Sequence, residues 1–294
     1  MASCSDDPPR SSGPDNASTE SSSPTAGTTP DPTPTTPATP TVTLPTTPAN
    51  NAATLARQLE GLDATLADRS AAATAVRRAG ELQQLVVRVL ARKPDRFVRA
   101  VSSDLSPSAA RDTELQVEAA RELMALTDPQ PKLPRWRIVE PPPAAELRGH
   151  YRAAQQRFGV HWSYLAAIHL VETRMGRIRG TSTAGARGPM QFIPSTWEAY
   201  GAGGDINDPR DAILAAARLL RANGAAENIA GALYRYNPSD RYVAAVSAYA
   251  QTMRDSPYAY RGYYHWRVLY RHQSGTYALP VGYPTVRPEL VAKE

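Results

Sequence analysis

The chain has 294 residues, a formal net charge of +5 and one cysteine, Cys4. One cysteine excludes an internal disulfide and a cysteine-based metal centre. The length admits two domains, and no stretch is long and apolar enough to suggest a membrane-spanning helix.

Residues 1–50 are almost wholly Ser, Thr, Pro, Ala, Asn, Gly and Asp, with Val42 and Leu44 the sizeable apolar residues after Met1. Such a composition cannot bury a core, so a disordered spacer is expected. The Pro-Thr alternation from Pro30 to Pro48 favours polyproline II, which makes the spacer semi-rigid. Cys4 sits in Ala2-Ser3-Cys4-Ser5, directly before it. Small residues before a cysteine resemble the end of a bacterial lipoprotein signal, although no charged and apolar regions precede it in this sequence. Cys4 is thus a lipidation candidate, the alternative being an incidental cysteine in a tail.

From Asn51 the pattern turns helical. Leu55, Leu59, Leu62 and Leu66 recur at helical spacing, and Val76, Leu82, Leu85, Val86, Val89 and Leu90 continue it until Pro94. Asp95 to Val101 reads as a short helix. Ser106-Pro107 is an N-cap with proline at the first helical position, opening a helix to about Leu126. Residues 51–130 are therefore expected to form a helical hairpin or bundle, whose role as spacer, docking module or dimerisation element stays open. The proline-rich stretch 131–143 reads as a linker.

The last domain is expected over 144–275, followed by a C-terminal strand and tail, 276–294. Its first helix runs from Ala144 to Phe158, closed by Gly159. A second begins at Trp162 and carries Leu165, Ile168 and Glu172 on one stripe, with His169 between them. Gly176 reads as the residue past its end. The core-facing stripe thus finishes in a carboxyl. A helix C-terminus disfavours negative charge, and so does burial. Both raise the pKa toward the range of a proton donor near neutrality. Arg174, Arg177 and Arg179 would oppose this if they point at the carboxyl, and a solvated glutamate at a helix end is the plainer alternative. A helix follows at Ile193-Pro194. Asp208-Pro209-Arg210-Asp211 is an N-cap launching another helix to Asn223. Asp240 to Met253 forms a further one, with Val243, Val246 and Tyr249 on one face. Trp266–Tyr270 and Tyr277–Val281 look like two strands around Gln273–Thr276, in a tyrosine-rich tail that suits either packing or a carbohydrate platform.

Charge separates along the same lines. Residues 1–50 carry one basic and five acidic side chains, 51–130 eleven of each, and 131–294 twenty-one basic and twelve acidic. The basic surplus suits an acidic polymer: a wall glycan with peptide carboxylates, teichoic acid or nucleic acid. A generally solvated basic face is the alternative. Nucleic acid is not expected, for want of a helix-turn-helix, zinc or RNA-binding signature. The histidines show no paired metal spacing, and Gly203–Asp208 is too short for an EF-hand, so no metal and no cofactor are expected.

Three ordered motifs make the last domain recognisable. They are Val171-Glu172-Thr173-Arg174-Met175-Gly176, then Ser182 through Gly188-Pro189-Met190-Gln191-Phe192, then Tyr234-Arg235-Tyr236-Asn237 through Tyr242-Val243. Together they resemble the lytic murein transglycosylases, in the branch with a V-E-T-x-x-G catalytic helix. The resemblance covers roughly 144–275 and leaves 1–130 unexplained. It implies a mainly α chain with a lysozyme-like (α+β) catalytic domain, and peptidoglycan glycan strands as partner and substrate. By it, Glu172 is the sole catalytic acid/base and Ser182 a hydrogen-bond partner of its carboxyl. Gln191 would line the sugar cleft, Tyr236 and Asn237 would flank the acid, and Tyr242 would be a second cleft tyrosine. Thr173, in place of a serine, and Met190 complete the expected substrate-binding set. The resemblance also implies an extracytoplasmic enzyme of the cell envelope, anchored to the membrane if Cys4 is lipidated and acting as a monomer.

Most glycoside cleavage uses two carboxylates. Asp205, Asp208 and Asp211 are accounted for by turns and caps, leaving Glu172 alone. A single acid suffices if the substrate's N-acetyl group assists departure and its 6-hydroxyl closes a 1,6-anhydro ring. A hydrolysing muramidase on the same fold, and a non-catalytic peptidoglycan-binding module, are the alternatives. Retention of the acid speaks against the second.

Overall fold

The computed structural model describes residues 44–293, so Cys4 and most of the expected spacer lie outside the described residues. The last residues of that stretch are ordered. Leu44 is buried against the first helix, and Gln58 ties Ala49 N and Thr47 O to it. A leucine that finds an apolar surface extends the folded part seven residues ahead of the composition boundary.

Four helices come first: α1 (Ala52–Ala67), α2 (Ala73–Ala91), α3 (Asp95–Ser102) and α4 (Pro107–Ala125). Asn51 and Ser106 cap α1 and α4 by accepting the Thr54 and Ala109 amides. The leucine stripe of α1 packs on Val76, Leu82, Val86 and Leu90 of α2. The next elements are β1 (Arg137–Ile138), α5 (Ala144–Phe158), α6 (Trp162–Thr173) and β2 (Ile178–Arg179). After them come α7 (Pro194–Tyr200), α8 (Pro209–Ala222), α9 (Ile229–Tyr236), α10 (Asp240–Asp255) and α11 (Ala259–Tyr264). The strands β3 (Val268–His272), β4 (Gly275–Leu279) and β5 (Glu289–Ala292) close the chain as an antiparallel sheet in the order β3-β4-β5. The hairpin turn is tighter than the sequence suggests, because His272 pairs with Gly275 and only Gln273 and Ser274 lie between them.

The fold is mainly helical, and α6 lies at its centre. Leu165, Ala166, Ala167, Ile168, His169 and Leu170 are all fully buried, so α6 is enclosed nearly all round and has no solvent stripe. It contacts α5, α8 and α10. Its end differs from expectation. The helix stops at Thr173, and Arg174, Met175 and Gly176 follow at φ of 53°, 61° and 86°. The left-handed turn begins two residues before the glycine and throws the chain sharply off the helix axis.

The linker 131–143 is tied down. Ile138 is buried, β1 pairs with β2, and Ile138 N donates to Tyr283 O. Pairing with a strand some 40 residues away is invisible to local pattern, as are β5 and the short helices α9 and α11. The tyrosine-rich tail packs: Tyr263 and Trp266 are buried beside Tyr249 in edge-on ring contacts.

Helices α1–α4 share the core with the rest of the compact unit. α4 runs along α10, and Val87 and Ala119 sit in the same apolar cluster as α6. At the crossing of α2 and α11, a Cβ on Gly80 would stand 2.6 Å from Gly262 O, so only glycine allows the approach. Beside it, Gln84 pairs with the Arg267 backbone, accepting its N–H at 2.8 Å and donating to its C=O at 2.9 Å. Gln83 accepts from the Trp266 indole N–H. Two acids lie in the same seam, Asp112 buried and Asp63 half-buried. Asp63 of α1 is hydrogen-bonded by Tyr258 and Gln83, and Asp112 of α4 by Ser256. Burial, and next the charge of Asp112, push Asp63 up from 3.8 to about 7, and burial raises Asp112 as well.

A carboxyl raised in the folded state stabilises it fully below its unfolded pKa, and the contribution is lost as pH rises through the folded value. Ionisation of Asp63 therefore weakens the seam between about pH 4 and 7. Asp63→Asn should melt higher than wild type at pH 8 and close to it at pH 4, followed by thermal unfolding at both pH values. Equal wild-type and variant shifts across that range would remove Asp63 from the account.

Candidate active site

The left-handed turn after α6 is held by a threonine. Thr173 Oγ1 donates to Pro189 O at 2.6 Å and accepts from Gly176 N at 3.1 Å. This pins the end of α6 to the loop carrying Gly188, Pro189, Met190 and Gln191. Gly188, at φ 74°, lies so close to Ile206 that an added Cβ would stand 1.9 Å from its carbonyl. Ser182 stabilises the start of the loop by accepting the Ala186 amide at 3.0 Å. A bridge between Arg187 and Phe192 closes it. Thr173 and Met190 are both fully buried, so they shape the site from beneath and do not line it.

Above this floor lies a cleft of about 470 Å³. Glu172, Ser182, Gln191, Tyr236 and Asn237 all line it, together with Ile193, Thr196, Arg235 and Pro238. Among the described residues that line it, Glu172 is the single acid. Burial raises its carboxyl from 4.5 to about 7, partly offset by a hydrogen bond from Tyr242. Tyr242 Oη donates to Glu172 Oε1 at 2.7 Å.

The neighbouring arginines do not contact the carboxyl. Arg174 Nη1 donates to Leu170 O at 2.7 Å, Arg177 to Arg174 O at 3.2 Å, and Arg179 to Asn207 O at 3.4 Å. Helix-end carbonyls attract the first two, as a helix C-terminus attracts cations. The carboxyl therefore keeps its burial-raised pKa.

Tyr242 differs from a cleft tyrosine: it is 2% exposed and sits behind the carboxyl. Its ring stacks on Tyr236, with planes 6° apart and centroids at 6.4 Å. Tyr236 in turn donates to Met190 O at 2.5 Å and touches Phe192 edge-on. The two tyrosines link α9 and α10 to the glycine-rich loop. Ser182 lines the cleft, but the hydrogen bond described for Glu172 comes from Tyr242, and the Ser182 oxygen serves Ala186 N. Gln191, in a left-handed conformation at φ 49°, donates to Gly188 O at 3.0 Å, which leaves its amide oxygen for an incoming group. Asn237 caps α9, and its side chain takes no hydrogen bond from the described residues, so it is available to a ligand.

Arg235, Thr196 and Ile193 were not anticipated from sequence. Arg235 adjoins Tyr236 in the motif, but nothing local shows that it faces the cleft. His169 is buried, with Nδ1 2.7 Å from Tyr151 Oη, and burial lowers it to about 3, so it stays neutral. Asp205, Asp208 and Asp211 accept backbone amides in the turn and cap before α8.

The Transglycosylase SLT domain model matches residues 150–258. Over 75 residues the chain is 37% identical to the "Membrane-bound lytic murein transglycosylase F" of Thiobacillus denitrificans (strain ATCC 25259 / T1). That stretch is 26% of this chain and covers 16% of the relative's length. No solved structure matches. The matched residues hold α6, the glycine-rich loop, α9 and α10, and with them every wall of the cleft: the cleft lies wholly within the part of the chain, residues 150–258, that is similar to the transglycosylase SLT domain.

Proposed function

We propose that the chain is a lytic transglycosylase that cleaves the β-1,4 bond between N-acetylmuramic acid and N-acetylglucosamine in peptidoglycan. The observation that carries this reading is one half-buried, protonatable carboxyl in a cleft with no second acid among its described lining residues. Such a site supplies one proton and takes one back. In the first step Glu172 protonates the departing glycosidic oxygen while the substrate's N-acetyl oxygen bonds to the anomeric carbon. In the second, the carboxylate removes the proton of the 6-hydroxyl, whose oxygen displaces the acetamido oxygen and forms the 1,6-anhydro ring. No water is consumed, and Glu172 ends protonated as it began. A value near 7 suits both halves, because the acid is neither too weak to donate nor too strong to recover its proton.

The remaining walls fit an amide-bearing sugar. Asn237 and the Gln191 oxygen offer hydrogen bonds to acetamido and hydroxyl groups, and Ile193 and the Tyr236 ring offer apolar faces. Tyr242 favours the carboxylate by its hydrogen bond and so limits how far burial raises the pKa. The substrate lies outside the cytoplasmic membrane, which is where this reading places the enzyme, with Cys4 as its lipid anchor. Among the described residues no helix is long and apolar enough to cross a membrane.

Glu172→Gln keeps the size and hydrogen bonding of the side chain but cannot exchange a proton. It should lose at least about 3–5 kcal/mol of transition-state stabilisation, a few decades in turnover of purified glycan. Because burial raises the folded carboxyl, its ionisation costs stability as pH rises from 4.5 through about 7. The same variant should therefore melt higher than wild type at pH 8. Wild-type products should carry 1,6-anhydro-N-acetylmuramic ends, lighter by one water than hydrolytic products in mass spectrometry. Reducing ends alone would identify a muramidase, and undiminished turnover in Glu172→Gln would remove the assignment of the acid.

Turnover should fall on the alkaline side as Glu172 deprotonates near pH 7. Tyr242→Phe removes the hydrogen bond that favours the carboxylate, so the descending limb should move to higher pH. A limb that stays in place or moves to lower pH in the variant contradicts the role given to Tyr242.

A further inference from the structure

A second hollow, about 680 Å³, adjoins the cleft, and Ser182 lines both. Its walls come from α2, α4, the tied-down stretch 127–136, the loop 181–183 and β3. The helices that precede the SLT domain therefore supply one wall of a second chamber beside the catalytic one.

Its chemistry is distinct from that of the cleft. Arg135, Arg174 and Arg271 line it, and none of them has a salt bridge among the described residues. The acid on its wall is Asp128, which is exposed. Arg174 is half-buried, with one hydrogen bond to a carbonyl, and Arg271 Nε is buried without a partner although its Nη1 bonds Met124 O and Thr127 O. Partly buried guanidinium groups without a carboxylate favour an anionic occupant. Between the cations lie Leu123, Leu269 and the edge-packed rings of Trp136 and Tyr270, which suit short alkyl groups.

We propose that this hollow binds the carboxylate-bearing stem peptide that hangs from the muramic acid of the strand being cut. The inference rests on the transglycosylase reading of the Glu172 cleft. A peptide attached to the sugar edge beside Ser182 passes directly into the hollow. Its alkyl side chains meet the leucines and rings, and its free carboxylates meet the arginines. The N-terminal helices thereby act as the specificity wall of the enzyme, selecting peptide-bearing over peptide-free strands.

Binding is measured on the full chain by titration calorimetry, without turnover, with three probes: N-acetylmuramic acid carrying its tripeptide, N-acetylmuramic acid alone, and a glycerol phosphate oligomer. The peptide-bearing probe should bind at least about tenfold tighter than the bare sugar, the size of a modest charge-pair contribution. Arg135→Glu, which reverses an exposed charge, and Thr183→Trp, which fills the mouth from an exposed loop position, should each erase that difference while the melting temperature holds. Equal binding of the two sugars, a peptide preference that survives both substitutions, or a preference for the phosphate oligomer would overturn the proposal. Cleavage of wall glycan, measured separately, judges the transglycosylase reading: a chain that binds the peptide but never cuts leaves the hollow intact and that reading broken.

Discussion

The structure depends on one partial desolvation, the carboxyl of Glu172 half-buried at the wall of the cleft with a single tyrosine hydroxyl as its hydrogen-bond partner among the described residues. Burying a carboxylate without an ion pair is unfavourable, and the group answers by holding its proton toward neutral pH. The surroundings keep it in that state. α6 is enclosed by α5, α8 and α10, so it cannot tilt its end outward. Thr173 locks that end to Pro189, and the left-handed turn sends Arg174 to a backbone carbonyl, away from the acid. Moving one of these arginines onto Glu172 would supply the missing charge and lower the pKa, and the acid would lose its proton at neutral pH.

Tyr242 and Tyr236 carry the second part of the same arrangement. They stack on each other, and one bonds the acid while the other bonds the loop that forms the floor of the cleft. The position of the carboxyl relative to the glycine-rich loop is thus set by two rings on α9 and α10. The N-terminal helices contribute at a greater distance. Their seam with α11 and β3 is polar, with Gln84 mimicking a strand partner for Arg267 and the acids Asp63 and Asp112 close by. A polar seam of this kind fixes orientation more than it adds stability. The orientation it fixes is the one that brings α2 and α4 up to the wall beside Ser182.

Much of this was legible in the sequence, for identifiable reasons. The stripe Leu165, Ile168 and Glu172 exposed the conflict between a core-facing position and a charge. Asp208-Pro209 and Ser106-Pro107 marked helix starts, and the observed α8 and α4 begin at those prolines. Glu172, Ser182, Gln191, Tyr236 and Asn237, singled out by motif, share one cleft. What stayed hidden depends on contacts far apart in the chain. The pairing of β1 with β2, the turning of Tyr242 behind the acid and the chamber between α4 and β3 each join segments separated by 40 residues or more. Leu44 failed as a spacer residue for the same reason, since its apolar partners lie on α1 and beyond. Composition judges a residue by its neighbours in sequence, and burial is decided by neighbours in space.

The most direct test of the account is the titration of Glu172 itself, by carbon-13 NMR of its side-chain carboxyl in the wild-type chain, with Glu172→Gln used to assign the signal. Desolvation with only Tyr242 in opposition predicts a midpoint near 7. A midpoint at the ordinary carboxylate value near 4.5 would mean that water or a cation reaches the acid, and the single-acid site would lose its physical basis.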